Sequence, residues 1–250
     1  MTIEYPRESD IPALHRLWKQ SFRDPDALID HFFRTAFSPG RCRCVRLSDA
    51  PVAAAYWFDC RHGGKKIAYL YAVATEDAYR RRGYCHALME DIHILLKSEG
   101  YSGVLLVPGT ASLRSLYASM GYAPCCFVTR RTVPASGACR IRRISKDEYV
   151  QKRRALVPPG AAEPDDTLWV FFAGFAEFYE GENLLLCATR EGNCVHIQEL
   201  FSQTDALGQI AGTLGAQCCQ AVPDGGETAL AMYRKLDETE PPAYFRPAMD

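Results

Sequence analysis

The chain has 250 residues, of which 48% are apolar and 24% charged, with a formal net charge of −1. This is ordinary globular composition, sufficient for one large domain or two small ones, and it supplies no global field that would draw nucleic acid or an anionic membrane. No apolar run approaches the ~20 residues of a spanning helix, and Met1-Thr2-Ile3-Glu4-Tyr5-Pro6 lacks the basic head and apolar run of a signal peptide. A cytoplasmic protein is expected.

Glu8-Ser9-Asp10 before Ile11-Pro12 reads as a cap with proline in the first helical turn, and Leu14, Leu17 and Trp18 share one face of that helix. A second helix is expected from Ala27 to Phe37, stopped by Pro39-Gly40. Strands follow at Arg41–Leu47 and Val52–Cys60, and His62-Gly63-Gly64-Lys65 is a hairpin signal before a third strand, Ile67–Thr75. Next come a helix from about His86 to Ser98, a short buried strand at 103–107, a helix from Ala111 to Met120 ended by Gly121, and a strand from Ala123 to Val133. This order gives an α/β (α+β) domain with a mixed, mostly antiparallel sheet and flanking helices.

Past Pro134 the order begins again. Cys139–Ile144, Ser145-Lys146-Asp147 and a helix repeat the pattern of Ile3 to Leu17, and a hairpin around Glu191-Gly192-Asn193, a helix at 206–214, a strand at 228–236 and a last strand near Tyr244–Met249 follow. The reading is a diverged internal repeat, with domains at 1–133 and 138–250.

Eleven cysteines form an odd set without Cys-x-x-Cys, and two of the pairs, Cys125-Cys126 and Cys218-Cys219, are adjacent. Most lie in apolar runs, where a free thiol packs as a small hydrophobe. All eleven are expected to be reduced, and no metal site is expected.

The chemistry concentrates between Val73 and His86. An apolar strand ends at Thr75, Tyr79-Arg80-Arg81-Arg82-Gly83-Tyr84-Cys85 forms a basic loop, and a helix opens within it. Loop N–H groups and the unpaired N–H groups of a first helical turn together make an anion cup, to which arginines add charge. The pattern is neither Gly-x-x-x-x-Gly-Lys-Ser/Thr nor Gly-x-Gly-x-x-Gly. It indicates a phosphate ligand without naming it.

Arg80-Arg81-Arg82-Gly83-Tyr84-Cys85 resembles the pyrophosphate loop of the GNAT superfamily of N-acetyltransferases, Arg/Gln-x-x-Gly-x-Gly/Ala, with Cys85 at the last position. Leu116-Tyr117 and Gly121-Tyr122 match a second family pattern, in which Thr110 stands for the usual asparagine and Leu113 for alanine. The resemblance covers about Ile3 to Val133 and implies a GNAT acyl-CoA N-acyltransferase fold that uses acetyl-CoA and no metal. It implies that Val73, Ala74 and Thr75 hold the pantetheine arm and that Arg80, Arg81, Arg82, Gly83, Tyr84, Cys85 and His86 hold the pyrophosphate. Thr110 and Arg114 are expected near the cofactor, with Tyr117 as general acid and Glu76 as the candidate base. An acyl-cysteine at Cys85 is not needed by the family reaction.

The second half resembles the degenerate lobe of two-lobed GNAT proteins. Its strand-to-helix loop, Leu200 to Gly208, is short and lacks arginine, and Asp205 at the helix start repels phosphate. Between Arg130 and Arg154 lie nine lysines and arginines against two acids, read as a solvated linker and helix face. The expected activity is acetylation of a small primary amine, with protein acetylation or a catalytically weak CoA-binding regulator as alternatives. Nucleic acid and membrane partners are not expected, and self-association is left open. The apolar tail Tyr244–Met249 is expected to close the second lobe, with the Asp250 carboxylates as a candidate for the active site.

Overall fold

The computed structural model describes residues 1–249. Its elements are β1 (Thr2–Glu4), α1 (Ile11–Phe22), α2 (Asp26–Thr35), β2 (Cys42–Leu47), β3 (Ala50–His62), β4 (Lys65–Thr75), α3 (Tyr84–Ser98), β5 (Gly103–Leu106) and α4 (Ala111–Ser119). There follow β6 (Ala123–Val128), β7 (Arg131–Pro134), β8 (Ile141–Ile144), α5 (Lys146–Arg153), β9 (Ala161–Pro164), α6 (Asp166–Phe172), β10 (Glu177–Gly181), β11 (Leu184–Glu191) and β12 (Cys194–Ser202). The chain closes with α7 (Leu207–Thr213), β13 (Cys218–Ala221), β14 (Thr228–Lys235) and β15 (Tyr244–Phe245).

Two units form. Unit one comprises Met1–Ala123, Glu163–Phe171 and Ala231–Pro241, and unit two the remaining described residues. In unit one the strands run β1-β2-β3-β4-β5, residues 232–235 of β14 pair with β5, and Glu163 and Pro164 of β9 pair with β3. Every neighbour is antiparallel except β4 and β5. Alternation along β3 divides its side chains between two faces. Ala53, Ala55 and Trp57 meet Leu88, Met89, Ile92 and Leu96 of α3. Tyr56 and Phe58 face Trp18 of α1, Phe32 of α2 and Phe171 of α6, with ring centroids between 5.2 and 6.2 Å apart. Each large side chain buried in this way stabilises the unit by roughly 1.5–3 kcal/mol.

In unit two the six-stranded sheet runs β8-β10-β11-β12-β13-β7, and within that sheet β12 and β13 are the parallel pair. The path β1-β2-β3-β4-β5-β14 in the first, nine-stranded sheet thus matches the six strands of the second, with the parallel pair at places four and five and a helix, α3 or α7, linking it. The repeat expected from element order is present in the topology.

The structure corrects the sequence reading in three places. The strand expected from Ala123 to Val133 is two strands, β6 and β7, and β7 pairs with β13. The eleven thiols are not all free: Cys194 and Cys218 face each other across β12 and β13 and are joined, leaving nine. The adjacency that made Cys218-Cys219 awkward to bridge concerned those two alone. Strand pairing brings a cysteine 24 residues away beside Cys218. The closing strand is shorter than expected, with Tyr244 and Phe245 pairing parallel to Ala161 and Ala162. Asp250 lies outside the described residues.

Candidate functional site

In unit one the parallel ladder joins Ile67–Leu70 of β4 to residues 103–106 of β5 and then stops, while β4 continues to Thr75. The two strands part there. The β3 register shifts in the same stretch: Ala54 faces Ala74 but Tyr56 faces Tyr71, so β4 carries one extra residue. Ala72 in that bulge has φ +49°, a left-handed conformation rare for alanine. A bulge leaves backbone groups without ladder partners and bends the strand.

Beyond Thr75 the chain makes a 3₁₀ turn at Asp77–Tyr79 and enters the basic loop. Arg80 folds back, its Nε donating to Thr75 O at 3.1 Å and its Nη2 lying 2.9 Å from Asp77. Arg81 is left-handed at φ +60°, and Gly83 has φ +83°. Gly83 is the N-cap of α3 and has no side chain to satisfy the first-turn donors; the first helical bond runs from Ala87 N to Gly83 O. The N–H groups of Tyr84, Cys85 and His86 thus lack intrahelical acceptors, beside Arg80 and Arg81.

These features border a cleft of about 510 Å³. Val73, Ala74 and Thr75 line one wall, and Arg80, Arg81, Gly83, Tyr84, Cys85 and His86 line another. Tyr117 of α4 also reaches it. Tyr117 is 6% exposed, and no described residue hydrogen-bonds its hydroxyl. Burial pushes its pKa above the ordinary phenol range, with the Cys85 thiol adding to the effect. Burial also raises Cys85, so no thiolate is favoured there.

Four expected residues do not line this cleft. Glu76 donates its backbone N–H to Val52 O at 2.9 Å. The Arg82 guanidinium lies over the Tyr79 ring, 5.5 Å from its centroid. Thr110 caps α4, its Oγ1 accepting from Leu113 N at 3.2 Å. Arg114 is half-buried one turn further along α4. Conversely, Phe22, Leu113, Leu116 and Met120 line the cleft unforeseen. Leu113, Leu116, Tyr117 and Met120 follow the i, i+3, i+4, i+7 spacing of an apolar helix face. That signal was present in the sequence, but it does not say whether the face meets core or cleft.

Behind α3 and α4 lies a group no motif announced. The two hydrogens of Arg234 Nη1, on β14, are shared among Glu90 Oε1 (2.7 Å), His93 Nδ1 (2.8 Å) and Met120 O (2.8 Å). His93 Nδ1 must accept, so Nε2 carries the proton and donates to Tyr122 OH at 2.7 Å. His93 is 3% exposed, and burial followed by the Arg234 charge lowers its pKa from 6.5 to about 4. A histidine depressed in the folded state contributes stability that is fully present above pH 6.5 and lost as pH falls toward 4, because the unfolded chain takes up the proton first. Unit one is expected to lose about 3 kcal/mol over that window through this residue. All three tryptophans, Trp18, Trp57 and Trp169, lie in unit one. Urea unfolding followed by tryptophan fluorescence at pH 7 and pH 4.5 therefore measures the loss, which His93→Gln should reduce. An equal loss in the variant would assign it to other groups.

At the start of α7, the equivalent helix in unit two, an acid stands instead of a glycine turn. Asp205 accepts from Leu207 N and from Arg131 Nη2 at 2.7 Å, and Arg131 holds its carboxyl below the ordinary carboxylate range. Among the described residues no helix is long and apolar enough to cross a membrane.

The family model of the acetyltransferase (GNAT) domain matches residues 2–125. A GCN5-related N-acetyltransferase from Kribbella flavida superposes with TM-score 0.72 at 19% identity, covering 94% of this chain and 72% of that one. One from Anabaena variabilis gives 0.74 at 13% identity, covering 94% and 73%. A tandem GNAT protein from the clavulanic acid biosynthesis pathway gives 0.60 at 10% identity, covering 96% and 99%. Comparison with curated protein sequences gives no match.

Proposed function

With its first half, residues 2–125, a GNAT acetyltransferase domain, and its fold that of two-lobed GNAT proteins, we propose that this chain transfers an acetyl group from acetyl-CoA directly to a primary amine of a small molecule. The observation that carries this reading is the cleft at the end of β4, lined by Val73, Ala74 and Thr75, by the Gly83 loop and by Tyr117 of α4.

The residues fit an acyl-CoA. First-turn N–H groups of α3 and the charges of Arg80 and Arg81 suit a pyrophosphate. Leu113, Leu116 and Phe22, each 36–43% exposed, offer apolar surface that water would otherwise cover. When bound, the cofactor supplies the thioester whose carbonyl carbon is attacked. The unpaired backbone around Ala72 and Val73 provides donors for the carbonyl oxygen as negative charge builds on it. Tyr117 keeps its proton at working pH and offers it to the departing sulfur. Because Glu76 does not line the cleft, a base role for it runs through water.

The test is to incubate the protein with acetyl-CoA and a panel of amino acids, polyamines and aminoglycosides, measuring free CoA and product mass. CoA release with an acetylated amine is expected. Tight acetyl-CoA binding without release on any amine would replace an enzyme with a CoA-binding regulator.

A further inference from the structure

Unit two also has a cavity where its parallel strands part. The β12 and β13 ladder joins Cys194–Ile197 to Cys218–Ala221 and ends, and beyond it lies a space of about 220 Å³. Its walls combine two arginines with an apolar surface formed by Ile197, Leu207 and Ala221. Arg246 is 2% exposed. Its Nη1 donates to Phe245 O at 2.8 Å, and its Nη2 donates to Val222 O at 2.6 Å and Asp224 Oδ1 at 3.1 Å. No described residue accepts from its Nε. Arg131 uses Nη2 on Asp205 at 2.7 Å, and no described residue accepts from its Nη1 or Nε.

The acids on these walls are already matched. Glu199, fully buried, accepts from Tyr149 OH at 2.6 Å, from Arg153 Nε at 2.7 Å and from Tyr244 OH. Asp205 is held by Arg131 and Asp224 by Arg246. What remains is an excess of N–H donors, and a buried guanidinium N–H without an acceptor costs free energy that a ligand oxygen would recover.

We infer that this cavity is a binding site for a small monocarboxylate, its carboxylate bridging Arg246 and Arg131 and its apolar body resting on Ile197, Leu207 and Ala221. A single negative charge suits the site better than a phosphate dianion, because Asp205 and Asp224 stand on the same walls. The site shares no lining residue with the cleft of unit one and does not depend on the acetyl-transfer reading.

Benzoate and butyrate are the probes, titrated calorimetrically at constant ionic strength against chloride. The protein used carries Gly83→Glu, which removes the anion cup of unit one. Saturable binding of one probe per chain is expected, weakened at least tenfold by Arg131→Gln, whose side chain is 42% exposed. Arg246→Lys, which keeps the charge but not the fork, should also weaken it. Absence of saturable heat with both probes would overturn the proposal. So would binding unchanged in both variants, or equal binding of chloride.

Discussion

Replacing Tyr117 by phenylalanine is expected to lower turnover about 10²-fold and to leave acetyl-CoA affinity nearly unchanged. The substitution removes one oxygen and keeps the ring, so the edge-to-face contact with Tyr122, 5.7 Å between centroids, survives. It also strands no protein group, since no described residue hydrogen-bonds that hydroxyl. The raised phenol pKa sets the expected size. A phenol above its ordinary ~10 is a poor donor to a free thiolate near ~8.5. Its contribution is therefore a hydrogen bond that strengthens as charge grows on sulfur, at the lower end of the ~10²–10⁴ range for positioned acids. The measurement is kcat and KM under conditions where the chemical step limits. Full turnover in the variant would move the acid elsewhere.

Gly83→Glu should abolish the thermal stabilisation that acetyl-CoA gives the wild-type protein. A ligand at 100 times its Kd stabilises the native state by ~2.7 kcal/mol, which is several degrees in a chain of this size. A Cβ on Gly83 meets nothing within 4 Å, so the carboxylate has room to stand at the mouth of the cup. There it opposes the pyrophosphate electrostatically. The φ of +83° makes any side chain at 83 strained, by roughly 1 kcal/mol or more. Gly83→Ala shares that strain without the charge, and the comparison separates the two causes. Melting of unit one, followed by tryptophan fluorescence with and without acetyl-CoA, is the readout. An undiminished shift in Gly83→Glu would place the phosphate site elsewhere, whereas equal loss in both variants would mean that loop geometry rather than charge decides binding.

The unit-one site was legible to different depths. Val73 to His86 could be located because a strand end, a glycine and a helix start are local events, each written in adjacent residues. The roles of Thr110 and Arg114 were less legible. A threonine before a helix serves as well for a cap as for a ligand, and here its hydroxyl accepts from Leu113 N. Glu76 is adjacent in sequence to the cleft strand, but the chain turns at Asp77 and carries it off the lining. The Arg234, His93 and Glu90 cluster was invisible because 141 residues separate Arg234 from His93.

By itself the sequence determined the order of the elements from α1 to α4, the repeat that follows and the strand–glycine–helix turn at Gly83, though not the short opening strand β1. These follow from short-range rules: periodicity, caps, positive-φ glycines and charge at helix ends. Only the tertiary structure decided which strands share a sheet. It placed residues 231–235 of β14 in unit one and paired β7 with β13 in unit two, and it brought Cys194 beside Cys218. Strand pairing joins residues at any separation, and its specificity lies in matched faces rather than in local pattern. The same reason hid the buried Arg246, whose partners Val222 and Asp224 reach it only once the sheet of unit two has formed.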